Sequence, residues 1–355
     1  MAKSKIYSVG IVGCGRMGWL FNEDKKITQP TSHVSAYMKN KRTRVVAVCD
    51  TDKKRINGLA DKYKIKARYS DYTAMFKNEQ LDIISICTPT QTHAKICKKA
   101  AASGVKVIFC EKPIATSLKE ADEMIAACHK NGVHLAVFHN RRWDPAYQQV
   151  GELLRQGVLG NLDTVHAYSP VGLANSGTHL FDLLRFYFGD VKTISGQIIP
   201  DDSGDPGAKG IIEFESGVSC TLDSRWRDYL LFGMDVLGSK GVLQLRNQIR
   251  SNRIAKILRM TESLKETGIQ ELQPMLIKPP KWRPPIVNAV ENIVRCLDNG
   301  EVIGCTGEDG KAALEIAIAF HETSRRKKKV QLPLRNRVLK VLPRQTSFTK
   351  TGKLQ

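Results

Sequence analysis

Residues 9–18 read Val-Gly-Ile-Val-Gly-Cys-Gly-Arg-Met-Gly, an apolar strand running directly into Gly13-x-Gly15-x-x-Gly18. No other stretch restricts the fold so strongly. In such a turn the first glycine bends the chain, the second lets backbone approach a pyrophosphate, and the third lets the next helix pack close on the strand. The helix start offers unpaired N–H groups and a positive dipole end to phosphate. Gly13, Gly15, Arg16, Met17 and Gly18 are therefore candidate dinucleotide contacts. A second strand, Val45–Cys49, ends in Asp50. A carboxylate there accepts from ribose hydroxyls and repels a 2′-phosphate, so NAD is expected over NADP. Lys53 and Arg55 lie close enough in sequence to receive a phosphate instead.

The first part of the chain alternates strand and helix. Apolar runs predict strands at Tyr7–Val12, Val45–Cys49, Ile83–Cys87, Val107–Cys110 and Leu135–Phe138, with helices near Lys53–Tyr63, Ala94–Ser103 and Leu118–Asn131. Ser117-x-x-Glu120 has the spacing of a capping box, and Gly132 follows the helix end. This alternation predicts a parallel, doubly wound α/β sheet. Asn22–Ser32 is polar and contains a proline, so it reads as a loop inserted at the strand-end face and bordering a site.

From about Trp143 the pattern changes. A helix over Pro145–Gln156 precedes strands with period-two alternation at Thr164–Tyr168, Gly210–Phe214, Val218–Leu222, Phe232–Leu237 and Gly241–Arg246, with one helix, Thr178–Phe188, among them. This predicts an α+β domain with a largely antiparallel open sheet. Residues 248–285 read as irregular, and Ile286–Asp298 and Asp309–Arg326 as amphipathic helices packing back on the first domain or its hinge. The expected domains are 1–140, 141–334 and a basic tail, 335–355.

Composition narrows the function classes. There is no apolar run of about 18 residues, so no membrane span is expected. The nine cysteines are scattered without a C-x-x-C pair, which predicts a reducing cytoplasm and neither disulfides nor a metal site. Of the net charge of +20, half falls in Glu322–Gln355, where eleven Lys/Arg face one acid. That stretch reads as a solvated tail from Asn336 onward. A nucleic-acid arm is disfavoured because no binding motif accompanies it. The positive field suits an anionic small substrate.

The segments GIVGCGRMG, VVAVCD, SICTPTQTHAKI, FCEKPIA, HNRRWDPAY, GTHLFDLLRFYFGD and CTGEDGKAALEIAIA occur in that order. Through them the chain resembles the glucose–fructose oxidoreductase and inositol dehydrogenase family (Gfo/Idh/MocA) over about residues 6–333. The resemblance implies a Rossmann domain, an open-sheet second domain that commonly forms the oligomer interface, and NAD(P)-dependent oxidation or reduction of a sugar-like hydroxyl. A homodimer or homotetramer is expected. A nucleotide sugar or sugar acid is the alternative substrate class, and a cofactor-binding regulatory protein the alternative outside enzymes.

Oxidising a secondary alcohol needs a base for the hydroxyl proton. Lys112, at a strand end beside Pro113, is the first candidate and is placed like the family's E-K-P lysine. Beside a cationic nicotinamide its pKa would fall toward neutrality. Glu111 is expected to orient it or to touch the cofactor. His179 is the second candidate, with Asp182 one turn on to hold its tautomer. Inositol dehydrogenase-like members carry an aspartate four residues before this histidine; here stands Asn175, which binds a hydroxyl but is no base. Thr88, Pro89, Thr90 and His93 follow the third strand and are expected at the cofactor, His93 reading equally as packing, with Thr92 as a helix N-cap. Arg142 is a candidate fork for a substrate carboxylate or phosphate, and Trp143 a wall for the nicotinamide. His33 lies where the family contacts cofactor or substrate, and reads equally as packing.

Overall fold

The computed structural model describes residues 5–24, 30–170, 172–201, 204–246, 255–260 and 270–343. The chain forms two compact units, one from 1–145 with 282–312, the other from 146–281 with 313–355.

The first unit holds a six-stranded parallel sheet: β1 (Tyr7–Val12), β2 (Thr43–Cys49), β3 (Ala67–Tyr69), β4 (Ile83–Ile86), β5 (Val107–Cys110) and β6 (His134–Val137), in the order β3-β2-β1-β4-β5-β6. The strand order reverses between β1 and β4, which opens a crevice at their C-terminal ends. Both faces are covered, so the central strands are continuous apolar runs: every residue of β4 and β5 is buried. Helices α1 (His33–Lys39), α2 (Lys53–Tyr63), α3 (Tyr72–Asn78), α4 (His93–Ala101) and α5 (Leu118–Lys130) alternate with the strands. Asp52 caps α2 by accepting from the amides of Lys54 and Arg55, and Ser117 caps α5 by accepting from that of Glu120. Ser117 makes only half of the expected capping box. The Glu120 carboxylate accepts from the amide and hydroxyl of Thr116 instead.

Three elements of the first unit were not read from the sequence. β3 has two half-buried residues flanking the exposed Arg68 and no apolar run. α3 has seven residues, with Asp71 as its cap. α1 begins at His33, directly after the loop read at Asn22–Ser32: the His33 and Val34 amides donate to the Met17 and Gly18 carbonyls. The expected Asn22–Ser32 loop thus ends in a helix start, and its central residues, 25–29, lie outside the described residues.

The second unit holds a nine-stranded mixed sheet: β7 (Leu162–Ser169), β8 (Val191–Ile199), β9 (Gly207–Phe214), β10 (Ser219–Ser224), β11 (Gly233–Gly238), β12 (Gly241–Arg246), β13 (Ala255–Met260), β14 (Leu272–Met275) and β15 (Val330–Gln331). Its order is β14-β13-β12-β11-β7-β10-β9-β8-β15, antiparallel throughout except for β7 beside β10. β8 escaped the sequence reading. The expectation that 248–285 is irregular is likewise corrected, because β13 and β14 extend the sheet edge. Lys256 and Arg259 interrupt the apolar pattern of β13, which lies one strand in from the edge strand β14. Val165, Ala167 and Ser169 of β7 face the core, while Thr164, His166 and Tyr168 line the half-exposed face. On that face the Tyr168 hydroxyl and the Arg246 guanidinium both donate to Asp235.

Helices α6 (Pro145–Arg155), α7 (Thr178–Phe188), α8 (Pro285–Asn299) and α9 (Gly307–Arg326) complete the chain. In the second unit Phe320 of α9 stacks on Phe181 of α7 at 6.0 Å. It sits over Gly196 and Gly210, cross-strand neighbours on β8 and β9, where a Cβ at either position would come within 3.0 Å of the ring. The reading of a free tail from Asn336 is corrected over its first residues. Asn336 donates to Glu322, Arg337 pairs with Glu315, and Val341 is buried. Two buried acids on α9 absorb charges that composition alone assigned to solvent. The rest of the tail, 344–355, lies outside the described residues. No described helix is long and apolar enough to cross a membrane.

Candidate active site

The site-bearing segments of the first unit leave the sheet at one end, stitched together by backbone bonds beyond the strands. Gly13 donates to the Cys49 carbonyl, Cys87 to that of Val12, Glu111 to that of Ile86 and Phe138 to that of Cys110. The glycine turn, Asp50, the Thr88 turn and the Glu111–Pro113 turn are thus fixed side by side.

Within the glycine turn the three glycines differ. Gly13 has φ +99°, and a Cβ there would stand 2.6 Å from the Cys87 carbonyl carbon. At Gly18 a Cβ would stand 2.2 Å from the Gly13 carbonyl oxygen. Those two are required by the chain itself. At Gly15 a Cβ would meet only an Arg55 guanidinium nitrogen, at 3.7 Å. Its missing side chain leaves open surface, as a cradle for a close-lying pyrophosphate requires, so the turn fits a dinucleotide. Arg16 lies over the Phe21 ring at 4.1 Å, and burial lowers its pKa.

Asp50 does two jobs at the end of β2. One carboxylate oxygen accepts from the Cys14 amide at 2.7 Å and the other from the Asp52 amide at 2.9 Å. It therefore pins the glycine turn while its remaining lone pairs stay available to a ribose. Arg55 reaches from α2 to pair with Asp52 at 3.4 Å and stays half-exposed. Beneath the turn, burial pushes the Cys49 thiol up to about 12, which makes it a small inert hydrophobe.

Lys112 is half-buried at the end of β5, and its peptide bond to Pro113 is cis. Its amide donates to its neighbour's carboxylate, Glu111 Oε2, at 3.3 Å. The other Glu111 oxygen bonds His33 Nε2 at 2.9 Å, and His33 Nδ1 meets Ser85 Oγ at 3.0 Å, itself 3.0 Å from the Tyr37 hydroxyl. His33 is completely buried and packs on Phe109 and Phe138. Of its two readings the structure takes packing: a buried polar chain runs from α1 to the backbone of Lys112. Sequence reasoning missed that partnership, because His33 and Glu111 are 78 residues apart.

His93 braces the same turn. Nε2 faces the Thr88 carbonyl at 2.9 Å and Nδ1 the Pro113 carbonyl at 3.0 Å, with burial lowering its pKa. Both nitrogens face backbone carbonyls, and the neutral ring that burial favours donates its single N–H to one of them, so His93 sits as a brace between the two turns. Thr92 does not cap α4; its hydroxyl bonds the Pro89 carbonyl and Thr88 Oγ1, both at 2.7 Å. Thr88 is half-buried, Pro89 exposed and Thr90 buried.

Arg142 and Trp143 are corrected as well. Arg142 pairs with Asp309 at 3.1 Å, and Asp309 in turn accepts from the Thr306 amide. Trp143 is 3% exposed, packs on Phe109 and Phe138, and donates its indole N–H to Asn292. An aromatic with its polar atom satisfied inside the unit is core, whatever its distance in sequence from the chemistry.

In the second unit, one π turn, Leu173–Gly177, runs straight into α7. It presents Asn175, and His179 follows four residues later, both half-buried. Asp182, one helical turn beyond, is completely buried. The Thr178 hydroxyl ties the junction by donating to the Ala174 carbonyl at 2.9 Å.

Comparison with known proteins agrees with this architecture. Residues 7–139 match the model of the oxidoreductase family's NAD-binding Rossmann fold, and residues 172–332 that of its C-terminal alpha/beta domain. The chain is 28% identical to D-apiose dehydrogenase of Paraburkholderia graminis, over 92% of this chain and 90% of that one. It is 24% identical to myo-inositol 2-dehydrogenase of Thermotoga maritima, over 91% and 98%. Among solved structures, the WlbA dehydrogenase of Bordetella pertussis in complex with NADH and UDP-GlcNAcA superposes with a TM-score of 0.76 at 19% identity, covering 94% of this chain and 99% of that one. With both of its family domains matched in order, the chain belongs to the Gfo/Idh/MocA oxidoreductase family and is an NAD(P)-dependent dehydrogenase.

Proposed function

We propose that this enzyme is an NAD-dependent dehydrogenase that transfers a hydride between the nicotinamide and a secondary hydroxyl, or its ketone, on a sugar or cyclitol-like substrate. The observation that carries the reading is the open cradle at Gly15, stitched by backbone bonds to the strand end that bears Lys112. When bound, the nicotinamide accepts or donates the hydride. Lys112 takes the proton from the substrate hydroxyl oxygen in oxidation and returns it in reduction. Glu111 and His93 hold the backbone on either side of that lysine. In the second unit His179 is the further proton-handling group, and Asn175 orients a substrate hydroxyl without acting as a base. The carboxylate of Asp50 supports NAD over NADP.

A nucleotide sugar or sugar acid is the second reading. The net charge of +20 favours it, and UDP-GlcNAcA is bound in the Bordetella pertussis structure of the same fold. We place the enzyme in a reducing cytoplasm, which its nine free cysteines support, as a homodimer or homotetramer.

NADH fluorescence titration followed by turnover on myo-inositol, D-apiose and UDP-GlcNAcA tests the reading. Lys112→Met is expected to cut turnover about a hundredfold or more while NADH affinity stays within about tenfold. His179→Gln should lower kcat and change the pH profile, and Asn175→Ala should mainly raise KM. NADH binding without turnover of any polyol, sugar or nucleotide sugar would instead mark a regulatory protein.

A further inference from the structure

The turn that presents Asn175 cannot hold its own backbone. Leu173, Ala174 and Asn175 open the π turn, and their amides have no acceptor earlier in that helix. All three are satisfied by one dipeptide in the loop before β9. The Leu173 amide donates to the Pro206 carbonyl at 3.0 Å. Those of Ala174 and Asn175 donate to the two carboxylate oxygens of Asp205, each at 2.9 Å. Asp205 is 1% exposed. Gly172 lets it approach: φ is +102°, and a Cβ there would stand 2.9 Å from Asp205 Oδ2. A buried carboxylate is costly to desolvate unless it accepts such bonds. Here it takes one from the very residue expected to meet substrate.

We propose that Asp205 is a positioning residue for the substrate. It fixes the backbone of Asn175 and, through the helix that continues from it, the start of α7 at His179. The proposal rests on the reading that Asn175 and His179 meet substrate. No pattern in the sequence marks Asp205, which sits in an Asp-, Gly- and Pro-rich stretch that reads only as loop. Changing Asp205 to Asn leaves one oxygen for two donors and turns an amide N–H₂ on one of them. Asp205→Ser keeps a single short acceptor and creates no such clash.

Two measurements test this. In amide hydrogen exchange on the full chain, 173–175 should exchange at least about tenfold faster in either variant, with the first unit unchanged. Unchanged protection there would overturn the clamp without any substrate being needed. In kinetics with whichever of myo-inositol, D-apiose and UDP-GlcNAcA the native enzyme turns over, both variants should raise KM about tenfold or more and leave NADH affinity unaltered. Combined with Asn175→Ala, they should add much less than they cost alone, because they act through that residue. Full additivity would show Asp205 to be structural only. If Asn175→Ala and His179→Gln are themselves silent, the underlying assignment fails rather than the clamp. Should Asp205→Asn fail to fold, the serine variant carries both measurements.

Discussion

Adding one methyl group at each glycine of the phosphate turn separates what the chain needs from what a ligand needs. Gly15 is outside the left-handed region, and an added Cβ would have only Arg55 near it, at 3.7 Å. Gly15→Ala therefore introduces no strain and removes unfolded-state freedom, so the apo protein should be unchanged or more stable by about 0.5 kcal/mol. The same methyl fills the cradle. Forcing it against a pyrophosphate should cost about 1–3 kcal/mol, an overpacking penalty, which is roughly 5- to 150-fold in NADH affinity. Gly18→Ala is the opposite case. Its Cβ would stand 2.2 Å from the Gly13 carbonyl oxygen, a backbone atom that cannot swing aside. The apo protein should lose several kcal/mol, about 3 or more by analogy with severe core strain. Thermal unfolding of the apo forms, paired with NADH fluorescence titration, gives both axes. Gly15→Ala binding NADH as tightly as the native chain would refute the cradle, and an unaffected melting temperature in Gly18→Ala would refute the packing argument.

Three further outcomes are expected. Asp50 pins the Cys14 amide; if its charge also faces a 2′-phosphate, as proposed, Asp50→Asn should narrow an NADH-over-NADPH preference in calorimetry. Asp50→Ser should narrow it and also weaken NADH; equal binding of the two cofactors by the native chain would defeat the assignment. Truncation after Pro343 should be silent, whereas truncation after Asn336 removes Arg337 and the buried Val341. That larger cut should cost about 1.5–3 kcal/mol in denaturant unfolding, the worth of one buried aliphatic side chain. Equal stability of the two truncations would restore the free-tail reading. Burial lowers the pKa of His93, so the unfolded chain binds its proton first on acidification. Its contribution is complete above the unfolded value of about 6.5 and is lost as pH falls through the lower folded value. Stability should fall from about pH 6.5 downward, and less steeply in His93→Asn, with His321 keeping part of the slope because burial lowers it too. Identical slopes would show that His93 does not set it.

The sequence by itself determined the backbone plan of the first unit. Ile83–Ile86 and Val107–Cys110 are buried on both faces, so their apolar runs stand out, and Gly13 and Gly18 occupy positions that backbone contact forbids to any side chain. It also located Asp50, Lys112 and His179, because strand ends and helix starts are read from local pattern. What it left undecided are the partnerships of buried polar groups. Arg142 reads as an open fork until Asp309, 167 residues away, is seen to hold it. His33 and His93 read equally as ligand contacts or as packing until Glu111 and two backbone carbonyls are seen beside them. Short or charged strands at or next to a sheet edge, such as β3 and β13, carry too little burial to leave a pattern. Asp205 leaves none at all. A buried polar atom is assigned by the acceptor or donor that the fold brings to it, and that pairing is long-range. Periodicity records which face is buried, and only the tertiary structure decides what each buried charge is paired with.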